Sequence, residues 1–367
     1  RLIETLEAGG HLDRKTEGLA DGEVFVRRAA DGRGLTRPEL AVLLSSTKLV
    51  LQDAIEESAL PDDPGLADEL IAAFPAPMRG KFKADILAHR LRREIIATKL
   101  ANRIVNRLGL IHPFELAEEE GASLAQVVAA FVAAERLFGM AEVWRGIETA
   151  AMPEAARIAL FERAAAALTD QMADLLRTGG GSLVPSKLVA ELQGGVAALA
   201  RSVDTLLASE ARTQSARMRA EFTALGAPAE QAAMVATLFD QDGAVGLARL
   251  ARDSKTAPEV LTRAFADLGA RLGLDWAQVT AARMSPSDPW ERLLVNGLAR
   301  DFQQMRLDFL RRQSKGDPAV AVERWAAGHE AAIRQFRLVV TRAQAAHPVA
   351  PAMLAQIASQ ARNLLAR

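Results

Sequence analysis

Apolar residues recur at spacings of three and four along almost the whole chain and rarely alternate, which predicts helices rather than strands. Leu188, Leu192, Val196, Leu199, Val203 and Leu206 make one such face, which Met218, Phe222 and Leu225 extend. A helix from Ser186 to Leu225 would be roughly 60 Å long. Trp290, Leu294, Leu298, Phe302, Met305 and Phe309 share a second face, and Val322, Trp325, His329, Ile333, Phe336 and Val340 a third.

Turn and cap residues divide this pattern into elements. Thr36-Arg37-Pro38-Glu39 reads as a capped start, with Thr36 bonding forward, Pro38 in the first turn and Glu39 reaching back; the helix should run to about Ser58. Leu60-Pro61-Asp62-Asp63-Pro64 stops it and starts a shorter helix ending near Phe74, because each proline disfavours helical geometry in the residue before it. After Pro75 and Pro77 a long helix is expected from about Lys81 to Leu108, closed by Gly109. Shorter helices follow at Pro113–Glu120, Ser123–Phe138 and Met140–Ala150. Pro153 opens another that reaches the linker-like run Gly179-Gly180-Gly181-Ser182, so it and the Ser186 helix should form an antiparallel hairpin, with Gly194-Gly195 as a possible kink. Beyond Gly226 the helices shorten before the two patterned ones near the end.

The expected fold is therefore all-α: an irregular multi-helix bundle with a long antiparallel helical hairpin in its middle. Its parts would be residues 1–150, a hairpin at 151–226 and a C-terminal subdomain at 227–367, forming one continuous helical body. No period of solenoid length repeats.

Composition narrows the chemistry. Lys and Arg number 45 against 46 Asp and Glu, so no net charge draws the chain to nucleic acid or anionic lipid. There is no cysteine, which removes thiolate nucleophiles and cysteine-ligated metals. His11, His89, His112, His329 and His347 form no pair at helical spacing, so no helix offers two imidazoles to one metal. His329, within an apolar stripe, is expected to be a core histidine bonded to a neighbouring helix. Glu118-Glu119-Glu120 diverge around a helix and read as a solvated end. Gly32-Arg33-Gly34 begins like a dinucleotide loop but has Arg37 where a third glycine belongs, and no Gly-x-Ser-x-Gly elbow occurs. These observations predict no catalytic, cofactor-binding or metal-ligating residues in this chain. The apolar stretch Val127–Ala134 is far short of the roughly 20 residues that span a bilayer, and no charged-then-apolar leader follows Arg1. A cytoplasmic protein with neither nucleic-acid nor membrane partners is expected.

One local feature stands out. From Asp53 to Glu69 there are seven acids and no Lys or Arg, whereas from Arg79 to Arg107 there are nine bases against Asp85 and Glu94. On a helical wheel Arg92, Lys99 and Arg103 line a polar stripe, while Arg90 and Glu94 fall among Leu87, Leu91 and Val105. Arg92, Lys99, Asn102, Arg103 and Asn106 are the candidate interface residues. They would face either the acidic segment of the same chain or another domain or subunit.

Several blocks also resemble a known family: Gly34-Leu35-Thr36-Arg37-Pro38-Glu39-Leu40-Ala41-Val42-Leu43, Leu60-Pro61-Asp62-Asp63-Pro64, His89-Arg90-Leu91-Arg92-Arg93-Glu94-Ile95-Ile96-Ala97-Thr98, Ala101-Asn102 and Val105-Asn106-Arg107. Together they resemble the C-terminal region of the large bacterial NAD-dependent glutamate dehydrogenases, most clearly over residues 1–150. Ser45-Ser46-Thr47 stand where that resemblance would place apolar or aromatic residues. It implies a parent enzyme, acting as a homo-oligomer, that oxidises L-glutamate to 2-oxoglutarate and ammonia with NAD on a catalytic domain preceding this region. The chain itself would be inactive, with a structural, assembly or regulatory role beside that upstream domain. A stand-alone helical scaffold that binds other proteins is the alternative.

Overall fold

The computed structural model describes residues 2–179, 183–206, 209–284, 286, 288–313 and 316–366, and among these it contains helices and turns but no strand. The chain is all-α, as its periodicity predicts. Its residues group into two compact units, Arg1–Arg136 with Leu168–Val189, and Leu137–Ala167 with Ala190–Arg367.

In the first unit the helix Arg37–Glu56 packs along the helix Arg92–Leu108. The former starts where its sequence says it should. The Thr36 side chain accepts from the Glu39 N–H, and the Glu39 carboxylate accepts from the Thr36 N–H at 2.7 Å. That backbone bond, helped by Thr36 and Arg28, holds the buried Glu39 carboxyl below its usual range. Leu51 and Ile55 on one helix and Leu100 and Ile104 on the other are fully buried. Thr98 donates to Gln52 across the pair at 2.9 Å. A cluster of Leu6, Leu12, Leu19, Leu43 and Val50 closes the end formed by the first residues. In the helix Leu124–Leu137, every residue from Val127 to Ala134 is buried, as befits a helix apolar on all sides at the centre of a core. No single helix among the described residues is long and apolar enough to cross a membrane.

The long helix expected from Lys81 to Leu108 is broken. The chain forms Ala76–Lys81 and Lys83–Leu87 before Arg92–Leu108 begins. The break has a local cause: the His89 ring accepts the Leu91 N–H at 3.1 Å, diverting a backbone donor into a turn. Leu87 and Leu91 consequently point to solvent instead of joining Val105 in the core.

In the second unit the helix Pro289–Arg312 packs against Leu274–Arg283 and Pro351–Leu365, and Pro258–Leu272 packs against Pro318–Gly328. Phe302, Phe309, Leu307 and Leu310 lie buried along the first of these, and Phe309 meets Trp325 edge to face at 5.1 Å. The predicted stripe overshoots the core, since Leu298 to Phe309 are covered while Trp290 is 78% exposed. Arg306 is the exception among aliphatic neighbours. Its guanidinium is 2% exposed, bonds Asp275 at 2.6 Å and the Phe302 carbonyl at 3.0 Å, reaches Gln278, and lies 3.9 Å from the Phe265 ring centroid. Burial pushes its pKa down and Asp275 opposes that shift.

Two further expectations are corrected. The third stripe is not one helix: Pro318–Gly328 ends at His329 and Glu330–Gln344 begins beyond it. His329 is half-buried, stacks on Trp325 at 5.4 Å and hydrogen-bonds the Trp325 carbonyl of its own turn at 2.8 Å, rather than a neighbouring helix. Gly194 and Gly195 lie inside the unbroken helix Pro185–Leu206, where a side chain on Gly195 would come within 2.8 Å of Ala248; its bareness permits close helix packing. The helix expected as Ser186–Leu225 is seen as Pro185–Leu206 and Ser209–Ala224, and its junction falls outside the described residues. So does the turn of the expected hairpin from Gly180 to Ser182.

Two substitutions test these cores. Thr47 is fully buried and its hydroxyl has no hydrogen-bond partner. Thr47→Val should therefore stabilise the first unit by about 1 kcal/mol in urea unfolding. In the second unit Asp275→Ala strands a buried guanidinium and should cost about 3 kcal/mol, whereas Arg306→Met, which removes the charge and keeps the volume, should cost clearly less.

Candidate functional site

The candidate residues sit on Arg92–Leu108 and its N-terminal turn, and the structure separates them into two groups. Arg92 bonds Asp62 at 2.9 Å, with both side chains nearly half exposed, so this pair contributes little. Its neighbour Arg93, which the wheel did not single out, does more. It pairs with Asp62 and donates to the carbonyls of Glu56 at 2.6 Å and Ser58 at 2.7 Å, closing the C-terminal end of Arg37–Glu56. Arg103 lies 2.5 Å from Glu69 and 2.9 Å from Glu135, with its guanidinium 5.8 Å from the Phe131 ring centroid. Both carboxylates are largely covered, which strengthens the interaction relative to an exposed pair.

The acidic segment thus receives Arg92, Arg93 and Arg103 within one chain. Asn102 turns back on its own helix, donating to the Thr98 carbonyl at 2.8 Å. Lys99, half-buried, and Asn106, exposed, make no hydrogen bond or ion pair among the described residues. They are the members of the candidate set left available to a partner.

Asp63 completes the acidic segment by a different route. Its carboxylate accepts the N–H of Gly65 at 2.7 Å and of Ser186 at 2.9 Å, tying the 3-10 turns at residues 60–66 to the start of Pro185–Leu206. Glu120 departs from the expected solvated end: its side chain is covered and accepts from Arg177 at 2.7 Å. Glu135 and Arg177 were missed because their partners are distant in sequence. The only local signal for Glu135 was a lone acid directly after the apolar run Val127–Ala134.

Gly32 and Gly34 do not form the phosphate-binding turn of a dinucleotide fold. Gly32 and Gly34 lie in the turn before Thr36, no strand leads into it, and a side chain on either glycine would meet nothing within 4 Å, so no cradle surrounds them. Among the described residues no group of three His, Asp or Glu side chains converges to hold a metal.

Fold and site together define an all-helical domain in which most of the distinctive charges latch one helix to another. Residues 32–363 match the family described as glutamate dehydrogenase, C-terminal, and the chain belongs to that family. It is similar to the NAD-specific glutamate dehydrogenases of Halomonas elongata (28% identity, 92% of this chain, 21% of the relative), Pseudomonas aeruginosa (28%, 97% and 22%) and Mycobacterium tuberculosis (31%, 79% and 18%). The chain therefore spans about a fifth of the length of the curated relatives it matches.

Replacing Arg103 separates the two groups of residues. Arg103→Ala leaves Glu69 and Glu135 facing each other under cover and should destabilise the first unit by about 3 kcal/mol. Lys99→Glu should change its stability by no more than about 0.5 kcal/mol in the same urea titration.

Proposed function

We propose that this chain is the helical C-terminal part of an NAD-specific glutamate dehydrogenase, and that it supports the assembly of the enzyme while the oxidation of L-glutamate to 2-oxoglutarate and ammonia takes place elsewhere in the polypeptide. The observation that carries this reading is the family match over residues 32–363 by a chain that spans 18–22% of its relatives. Its physical support is the use of Arg93, Arg103, Asp63 and Arg306 as internal ties. NAD would bind the preceding catalytic domain, and the enzyme would act as an oligomer. Lys99 and Asn106, free of internal partners, are the residues of the basic helix assigned to contact with that domain or with a neighbouring subunit.

The chain alone, supplied with NAD and L-glutamate, should give no NADH above background, and measurable turnover would overturn the proposal. In the full-length enzyme Lys99→Glu should weaken assembly, read by analytical ultracentrifugation, without lowering the stability of the fold.

A further inference from the structure

The first unit contains a stretch of chain, rich in large apolar side chains, that its own core leaves uncovered. From Pro75 to Leu91 only Ile86 is buried, while Met78, Phe82, Leu87 and Leu91 are 38–49% exposed. A run of large apolar side chains left in water is costly, and such runs mark surfaces that another molecule covers. The stretch is nevertheless built rather than loose. Arg79 donates to the carbonyls of Phe74 at 2.7 Å and Ala72 at 3.1 Å, two short helices follow, and His89 fixes the exit by accepting from Leu91.

Its charge is one-sided. Lys83 and Arg90 have no hydrogen bond or ion pair among the described residues, the Lys81 ammonium lies 5.3 Å from the Phe82 ring centroid, and Asp85 is the one acid in the stretch. We propose that residues 75–91 are a docking surface for an apolar protein surface bearing carboxylates, supplied by the part of the longer polypeptide that lies outside residues 1–367. This rests on the reading of the chain as part of a larger enzyme. Its relatives carry about four-fifths of their length outside the matched region, so there is ample chain to supply the occupant.

The chemistry disfavours other occupants. A second copy would set bases against bases. A membrane surface calls for a continuous amphipathic helix, whereas these helices are six and five residues long and are interrupted at Phe82. Nucleic acid would pair the bases but leave Met78, Leu87 and Leu91 uncovered. Met, Phe and Arg are enriched in protein interfaces relative to the rest of the surface.

The test uses the full-length polypeptide. Residues 1–367 contain no cysteine, and Ala84 is exposed, so Ala84→Cys places the one thiol of this region on the surface, where its peptide is told apart from any other cysteine peptide by mass. Labelling at that thiol, read by peptide mass spectrometry, should be at least about tenfold slower in the folded polypeptide than in the same polypeptide unfolded in urea. Adding Lys83→Glu and Arg90→Glu should restore fast labelling with the helical circular dichroism unchanged. Labelling equally fast in the folded and unfolded states would overturn the proposal. So would protection that ignores the charge reversals, or that appears only when phosphatidylserine vesicles or an oligonucleotide are added. Hydrogen exchange of residues 83–91 in the unmodified polypeptide reads the same coverage without any substitution. None of these readouts depends on turnover by the chain alone, so failure of the docking surface and failure of the proposed function are distinguishable.

Discussion

A helix satisfies its own backbone donors and acceptors, so a chain made only of helices can fill its interior with Ala, Leu and Val at little polar cost. Such surfaces are also permissive, because aliphatic faces accept neighbours in several registers of similar energy. Each unit of this protein brings a guanidinium against its core. Arg103 sits between Glu69 and Glu135 in the first, and Arg306 between Asp275, Gln278 and the Phe302 carbonyl in the second. Desolvating a guanidinium is expensive, and only an arrangement that brings every partner to it offsets the cost. That requirement restricts how the surrounding helices can slide or rotate.

The same economy governs the acidic and basic segments near the N-terminus. Asp62 receives two arginines, Asp63 receives two backbone donors, and Arg93 takes up two carbonyls at a helix end that would otherwise lack partners. Charges engaged in this way hold geometry. What they leave over is informative. Lys99 and Asn106 on one helix, and Lys83 and Arg90 in the stretch before it, are among the polar groups of this region that make no hydrogen bond or ion pair among the described residues.

How much of this was legible in the sequence depended on the range of the interaction. The Thr36–Glu39 box spans four residues, and it was readable in full. The class of fold was readable because a period of three to four residues is local as well. The break before Arg92 was not, since the acceptance of a backbone N–H by the His89 ring leaves no periodic trace and the surrounding pattern continues helical. His329 likewise looked like a mid-helix core residue because the stripe passes through it, although the chain turns there. For the candidate site, opposite charge in neighbouring segments pointed to pairing, but the choice of Glu135 for Arg103 and of Arg177 for Glu120 depends on how distant helices pack. Gly195 is a similar case: a glycine that suggested bending serves close approach to Ala248.

These ranges also explain where the family resemblance could be seen. The recognisable blocks contain several residues with exacting geometry in the first unit: Thr36 and Glu39 at a cap, Asp63 as an acceptor of two backbone donors, and Arg93 as a donor to two carbonyls. Each needs one particular atom at one position, so a substitution there is felt at once. Beyond residue 150 most of the buried surface is aliphatic, and volume-conserving exchange among Leu, Ile, Val and Met costs little. Similarity to the family nevertheless runs to residue 363, at 28–31% identity to the relatives. Faint resemblance in the later helices is therefore what an interior held by burial should produce. The sharp blocks lie where individual hydrogen bonds do the holding.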